Sequence, residues 1–499
     1  MAKRKSHKLS RPSAVLSVML GAAILLMGCV PSQTPADVVL DPAATVTRSG
    51  GPTPLPTRTL LAPGQLVAYT AATGDTLPAL ASHFNTTVEE ILKANPAVPS
   101  TATTLPPGYP LQIPAYNLPL TGTPFKIIPN SELVNGPSAV SFDLRAEVLG
   151  RPGYLGSSSD WAFSKQRPGW QVVNVVAENF SVNPRLLLTL LEYGSKALTD
   201  PFPDSDAKRY SIGYHTAVDT GLYRQLSWAA QRLNEGYYGW SDGTLREFET
   251  TDGYLVRPDP WQNAGTVAVQ YLFAGMDTLE TFDQDIGPEG LYKTYVGLWG
   301  DPFAKAVDII PANLEQPPLA LPFEPGKIWD FTGGPHSSWG EGPPYGALDF
   351  APPAAETGCA PSGEWVTAPA GGIITRSEEA LAVLDLDGDG DARTGWVMIF
   401  YHLAPDGKIA TGTHVKPGDF IGHPSCQGGQ ATGTHVHVAR RYNGQWISAG
   451  GVVPFNLDGW IAHAGDAPYQ GTLTKASNVI PACTCTSMEN RIIYTLPGQ

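Results

Sequence analysis

Two histidines one residue apart, His435 and His437, sit in the Val-rich run Gly433-Thr-His-Val-His-Val-Ala439. On a β-strand, side chains at i and i+2 project from one face, so both imidazoles enter one cleft. There one can hold a metal while the other faces a substrate. Three more groups suited to metal or proton chemistry lie upstream. His336 closes the Gly-rich run Phe331-Thr-Gly-Gly-Pro-His336, and Asp349 interrupts the apolar run Ala347-Leu-Asp-Phe-Ala351. His402 ends the apolar run Met398-Ile-Phe-Tyr-His402. A lone carboxylate in an apolar run is costly unless a cation or hydrogen-bond donors meet it. Two His and one Asp, with a fourth position left to water, is the pattern of a catalytic zinc site rather than a structural one.

Two other stretches carry acidic chemistry. Asp385-Leu-Asp387-Gly-Asp389-Gly-Asp391 alternates carboxylates and resembles the first half of a calcium loop. Position twelve, where such a loop has a bidentate Glu, is Trp396. The reading is a calcium-stabilised loop between two strands, the alternative a solvated acidic hairpin turn. Glu192 follows the leucine-rich run from Leu186 to Leu191. Desolvation at the end of a buried helix raises a carboxyl pKa, as a general acid for glycoside cleavage requires. The segment faintly resembles lysozyme-like lytic transglycosylases, except that Tyr193 stands where their serine follows the glutamate. The alternative is a helical spacer or glycan-binding domain with Glu192 at a helix surface.

In combination, His336, Asp349, His402, His435 and His437 resemble the site of the lysostaphin-type zinc peptidases, which cut peptidoglycan cross-links. The thirteen-residue step from His336 to Asp349 is closer to the β-lytic/staphylolysin branch than to the shorter H-x-x-x-D of lysostaphin. The resemblance covers residues 320–465 and implies a mainly antiparallel β domain with a groove. It implies zinc on His336, Asp349 and His437, with His402 and His435 as catalytic histidines. It also implies a peptide bridge of the bacterial wall as substrate, at a Gly- or D-Ala-containing bond. Two alternatives come from other classes: a non-catalytic scaffold that binds wall and activates other hydrolases, and a bifunctional enzyme whose middle domain cleaves glycan through Glu192. Cys359 and Cys426 lie in loops of this segment and are expected to pair in an oxidising compartment. Cys483 and Cys485 are close for a bridge, and residues 466–499 form an unassigned tail.

The elements that must hold these groups divide the chain into domains. Residues 66–115 read as βααβ, with strands at Val67–Tyr69 and Leu111–Pro114 and helices patterned by Leu77, Leu80, Phe84 and by Val88, Ile91, Leu92. This unit resembles a LysM domain, a family that binds N-acetylglucosamine-containing glycans. Residues 140–312 read as helical. Asn183-Pro184 is an N-cap followed by proline at the first helical position, and the leucines after it demand burial all round. Helices also fit Leu222–Leu233 and the run after Asn263. The fold class is therefore multidomain: a small α+β LysM unit, a helical lysozyme-like or spacer domain, and a C-terminal, mainly antiparallel β peptidase domain.

Residues 1–28 carry basic residues and then the apolar run Ala14–Met27, a signal-peptide pattern too short to span a bilayer. Gly28-Cys29 resembles a lipobox, which implies lipidation of Cys29 and anchoring at the outer face of a membrane. Residues 29–65 are rich in Pro, Thr, Ala and Gly and read as a disordered tether. A net charge of −14 argues against nucleic acid as a partner. It also argues against bulk attraction to anionic wall polymers, so wall binding must use specific grooves.

Overall fold

The computed structural model describes residues 55–116, 122–354, 358–485 and 487–495. Cys29, the signal segment and most of the expected tether lie outside them. Among the described residues no helix is long and apolar enough to cross a membrane.

The first unit is the expected βααβ. Strands β1 (Gln65–Thr70) and β2 (Pro110–Ala115) pair antiparallel around helices α1 (Leu77–His83) and α2 (Val88–Ala94). Both helices start at a threonine whose side chain accepts a free backbone N–H: Thr76 from Ala79 and Thr87 from Glu90. Pro78 sits in the first turn, where no intrahelical N–H is lost. Leu80, Phe84, Ile91 and Ile113 form the core. The unit docks on the helical domain through His83, stacked on Trp240 at 3.7 Å between ring centroids.

The middle of the chain is helical. Its main helices are α3 (Gly169–Phe180), α4 (Pro184–Ser195), α5 (Leu222–Ser241), α6 (Ala264–Ala274) and α7 (Leu291–Trp299). The side chain of Asn183 caps α4 by accepting from Arg185 N, and all five leucines of that helix are buried. The domain reaches further back than residue 140. Ile127, Ile128, Leu133 and Val134 are part of its core.

The C-terminal domain is built on an antiparallel sheet. Its strands are β3 (Ile328–His336), β4 (Ala347–Ala351), β5 (Gly372–Glu378), β6 (Leu381–Asp385), β7 (Trp396–Tyr401), β8 (His414–Val415) and β9 (Val436–Tyr442). The tail adds β10 (Trp460–Ala464), β11 (Gly471–Lys475), β12 (Asn478–Pro481) and β13 (Arg491–Ile493). The main sheet runs in the order β8-β5-β6-β7-β9-β4-β3-β13, and β10, β11 and β12 form a smaller sheet with Asn456–Leu457. The described part of residues 466–495 is thus no separate tail: Arg491 pairs with Asp330 and closes the edge of the main sheet.

Both faces of the main sheet are covered. Leu348, Phe350, Met398, Phe400, Val436 and Val438 face the peptidase's own core. Ala347, Val383, Ile399 and Ala439 face the helical domain. This double burial is why the strands read as continuous apolar runs instead of alternating ones. Each large side chain so buried contributes about 1.5–3 kcal/mol.

Candidate active site

Strand register brings the site together. His437 on β9 lies directly opposite Asp349 on β4, and Tyr401 of β7 lies opposite His437 on its other side. An irregularity in β3 between Gly333 and His336 lets the end of that strand turn toward the same point. Gly333 has to be glycine, since a Cβ there would stand 2.5 Å from Asp349 Oδ2.

Three ligand atoms converge. His336 Nε2 is 3.0 Å from His437 Nδ1 and 3.2 Å from Asp349 Oδ1, and His437 Nδ1 is 3.4 Å from the same oxygen. A tetrahedral ion with bonds of about 2.0–2.1 Å needs ligand atoms about 3.3 Å apart, so this triangle fits zinc. Asp349 Oδ1 is buried and has no hydrogen-bond partner, as expected of an oxygen reserved for a cation.

Backbone carbonyls fix which nitrogen of each imidazole is free. His336 Nδ1 donates to Gly334 O at 2.8 Å, and His437 Nε2 donates to Ser338 O at 3.2 Å. A carbonyl can only accept, so His336 Nε2 and His437 Nδ1 keep their lone pairs for the metal. His402 Nδ1 donates to Gln427 O and His435 Nδ1 to Gly433 O, each at 2.8 Å. Their Nε2 atoms are therefore the free ones. His402 and His435 face each other with ring centroids 4.5 Å apart, and His435 Nε2 is 3.8 Å from Asp349 Oδ1. Sequence reasoning named these five residues, and the structure gathers all five at one point.

The electrostatics push the clustered groups in different directions. Burial works against charge on both His336 and Asp349, yet their mutual attraction raises His336 and holds Asp349 well below the carboxylate range. Burial lowers His437. Burial, with His435 and His437 adding repulsion, pushes His402 down to about 4. His402 is thus a neutral proton acceptor at neutral pH.

His402 sits at φ +63°, a left-handed conformation that costs about 1–2 kcal/mol away from glycine. Ser425 holds it there, donating to His402 O from its amide at 2.7 Å and from its hydroxyl at 2.8 Å. The next residue, Cys426, is disulfide-bonded to Cys359. On the other side of that bond, Gly358 O and Ala360 O accept from the amide and hydroxyl of Thr434, beside His435. The disulfide joins the loops that support both flanking histidines. Cys483 and Cys485 also bridge, away from this cluster.

One residue near the metal ligands escaped sequence reasoning. Tyr469 stacks on His336 at 4.2 Å between centroids. It comes from the segment left unassigned, and no motif marks it.

The other sequence-predicted groups fare differently. Asp385, Asp387 and Asp389 place carboxylate oxygens within 4.8 Å of one another, and Asp385 Oδ1 is buried without a partner. Burial, with the neighbouring carboxylates, raises Asp385 to about 6. Asp391 does not join them: Arg393 grips its carboxylate at 2.7 and 2.6 Å. Glu192 is half-buried and occupied by its own loop. Leu198 N donates to one oxygen at 2.8 Å and Thr199 Oγ1 to the other at 2.5 Å.

Residues 69–114 match the LysM domain family, and residues 126–313 match the LasA N-terminal domain family. The β-lytic metalloendopeptidase of Lysobacter enzymogenes is 31% identical over 160 residues, which cover 30% of this chain and 82% of the relative. The chain belongs to the β-lytic, lysostaphin-type family of metalloendopeptidases. Protease LasA of Pseudomonas aeruginosa is 28% identical over 364 residues, 68% of this chain and 78% of LasA. Among solved structures, the M23 metalloprotease pseudoalterin shares 27% identity with a TM-score of 0.28, covering 33% of this chain and 94% of its own. The family is zinc-dependent, and the His336–Asp349–His437 triangle of this metalloendopeptidase is a site of that kind. Its helical domain matches the LasA N-terminal domain family, where the sequence had suggested a lysozyme-like or spacer domain.

Proposed function

We propose that this metalloendopeptidase is an exported, lipid-anchored enzyme that hydrolyses peptide cross-links of bacterial peptidoglycan. The observation that carries the reading is the convergence of three ligand atoms beside two imidazoles whose Nε2 lone pairs are left free. His336 Nε2, Asp349 Oδ1 and His437 Nδ1 would hold zinc, which would supply a Lewis acid for the scissile carbonyl and lower the pKa of water toward about 7. The chain's own groups handle the protons. One of His435 and His402 accepts the proton of the attacking water at Nε2 and returns it to the leaving amine. Their Nδ1–H bonds to backbone carbonyls steady the rings as charge develops. The LysM unit holds N-acetylglucosamine-containing glycan, and Cys29 carries the lipid.

Digestion of purified walls followed by mass spectrometry tests this. Wild type should release peptides with new amino termini at a Gly- or D-Ala-containing bond, and His435→Ala should not. Intact walls with zinc-loaded wild type would leave the scaffold reading in its place.

The buried, unpartnered Asp385 Oδ1 favours one further assignment, a calcium ion on Asp385, Asp387 and Asp389. Thermal unfolding with and without calcium tests it.

A further inference from the structure

The sheet face that bears His437 continues past the metal ligands. Along β9, Ala439 and Arg441 follow on the same side, opposite Ile399 and Val397 of β7. The helical domain covers this stretch without filling it. A cavity of about 310 Å³ remains, walled by Arg441, Arg376, Asn135, Trp339, Ile399 and Val383. Its size is at the lower end of small-molecule sites, about 300–1,000 Å³. It opens at the hairpin after β6, where Gly390 is exposed. Trp339 separates it from the metal ligands, its ring 4.9 Å from that of Tyr401, which in turn lies 6.4 Å from His437.

The walls are not electrically balanced. Arg376 pairs with Glu178 at 3.1 Å and Glu378 at 3.3 Å, and Arg393 at the mouth pairs with Asp391 at 2.6 Å. Arg441 makes no ion pair among the described residues. It is 5% exposed, donates from Nη1 to Glu178 O at 3.1 Å, and lies 5.0 Å from the Trp446 ring centroid. Its Nε is buried without a partner. The carboxylate that attracts Arg441, Glu178, is already paired with Arg376, and an anion in the cavity would add the counter-charge this buried cation lacks. Asn135 is buried too, and its Oδ1 also lacks a partner. Its Nδ2 donates to Ala177 O at 3.2 Å, which settles that the oxygen is the unpaired atom.

We propose that this cavity is a binding site for the C-terminal carboxylate of a short peptide. The carboxylate meets Arg441, the side chain of Asn135 turns to bring its buried Oδ1 to the adjacent amide N–H, and small side chains lie against Val383, Leu381 and Ile399. A bare inorganic anion would satisfy Arg441 and leave Asn135 Oδ1 unpaired, and a neutral sugar would do the reverse. The assignment rests on the cavity and not on wall hydrolysis.

The test is isothermal titration of the full chain with N-acetyl-alanyl-alanine, as free acid and as C-terminal amide. Both the zinc-loaded and the chelator-treated protein are used. The acid should bind in both states, and the amide about tenfold or more weakly, the worth of one charge-assisted hydrogen bond. Arg441→Gln should bring the acid down to the level of the amide, with circular dichroism confirming the fold. Asn135→Ala should weaken the acid about fivefold. If Arg441→Gln does not fold, the acid-to-amide ratio and Asn135→Ala decide. Equal binding of acid and amide, or no binding at millimolar peptide, overturns the proposal. Binding that disappears with the zinc belongs to the metal site and overturns it as well.

Discussion

Asp349 and Glu192 are both carboxylates set against apolar runs, and the fold treats them in opposite ways. Asp349 lies mid-strand, so its nearest groups come from other strands. It meets His336 of β3 and His437 of β9 across the sheet, and its Oδ1 remains open to a cation. Glu192 lies near the end of α4, where the chain turns back on itself. Its two oxygens are taken by Leu198 N and Thr199 Oγ1, within seven residues. A sheet collects chemistry from distant parts of the chain. A helix end tends to consume its carboxylate locally, as a tie for the following loop. The first arrangement leaves reactive atoms free, and the second uses them up.

The most direct way to break this comparison is to remove a converging ligand. His437→Ala should lose both bound zinc and turnover, measured by metal analysis beside hydrolysis of a Gly-rich peptide. His435→Ala and His402→Ala should keep zinc, because three ligands remain, while turnover drops by about 10²–10⁴, the worth of a positioned acid–base group. If His435→Ala lost its zinc and His437→Ala kept it, the roles assigned within β9 would be reversed.

Convergence also depends on the loops behind the histidines. Replacing Cys359 and Cys426 together by serine should cut turnover by about 10–100-fold with zinc retained, since small displacements of catalytic groups have effects of that size. Unchanged turnover would show that Ser425 and Thr434 hold the site unaided.

A milder effect is expected at the acidic hairpin. Calcium should raise the unfolding temperature of the peptidase domain by about 2–4 °C, or roughly 1 kcal/mol in a domain of this size. Asp385→Asn should lose that response, and an equal response in the variant would remove the assignment.

Glu192→Gln closes the series with the smallest change. Glutamine can still accept from Leu198 N through its carbonyl oxygen and donate to Thr199 Oγ1 through its amide nitrogen, so stability should stay within about 1 kcal/mol and wall lysis should persist. Loss of anhydro-sugar products in this variant would restore the glycan-cleaving alternative.

The sequence by itself determined which groups build the candidate site and how they are spaced. His336, Asp349, His402, His435 and His437 were legible because apolar runs and an H-x-H fix strand faces within a few residues. The LysM elements and the start of α4 at Asn183 were legible for the same reason, since caps and periodicity act over one or two turns. Tertiary structure alone decided the rest. It put Tyr469 on His336 and assigned Ser338 O to His437. It also folded Arg491–Ile493 into the main sheet and laid the helical domain over the face that bears His437. Those outcomes depend on strand register and packing between segments some hundred residues apart, and no local pattern of side chains encodes which segments will meet.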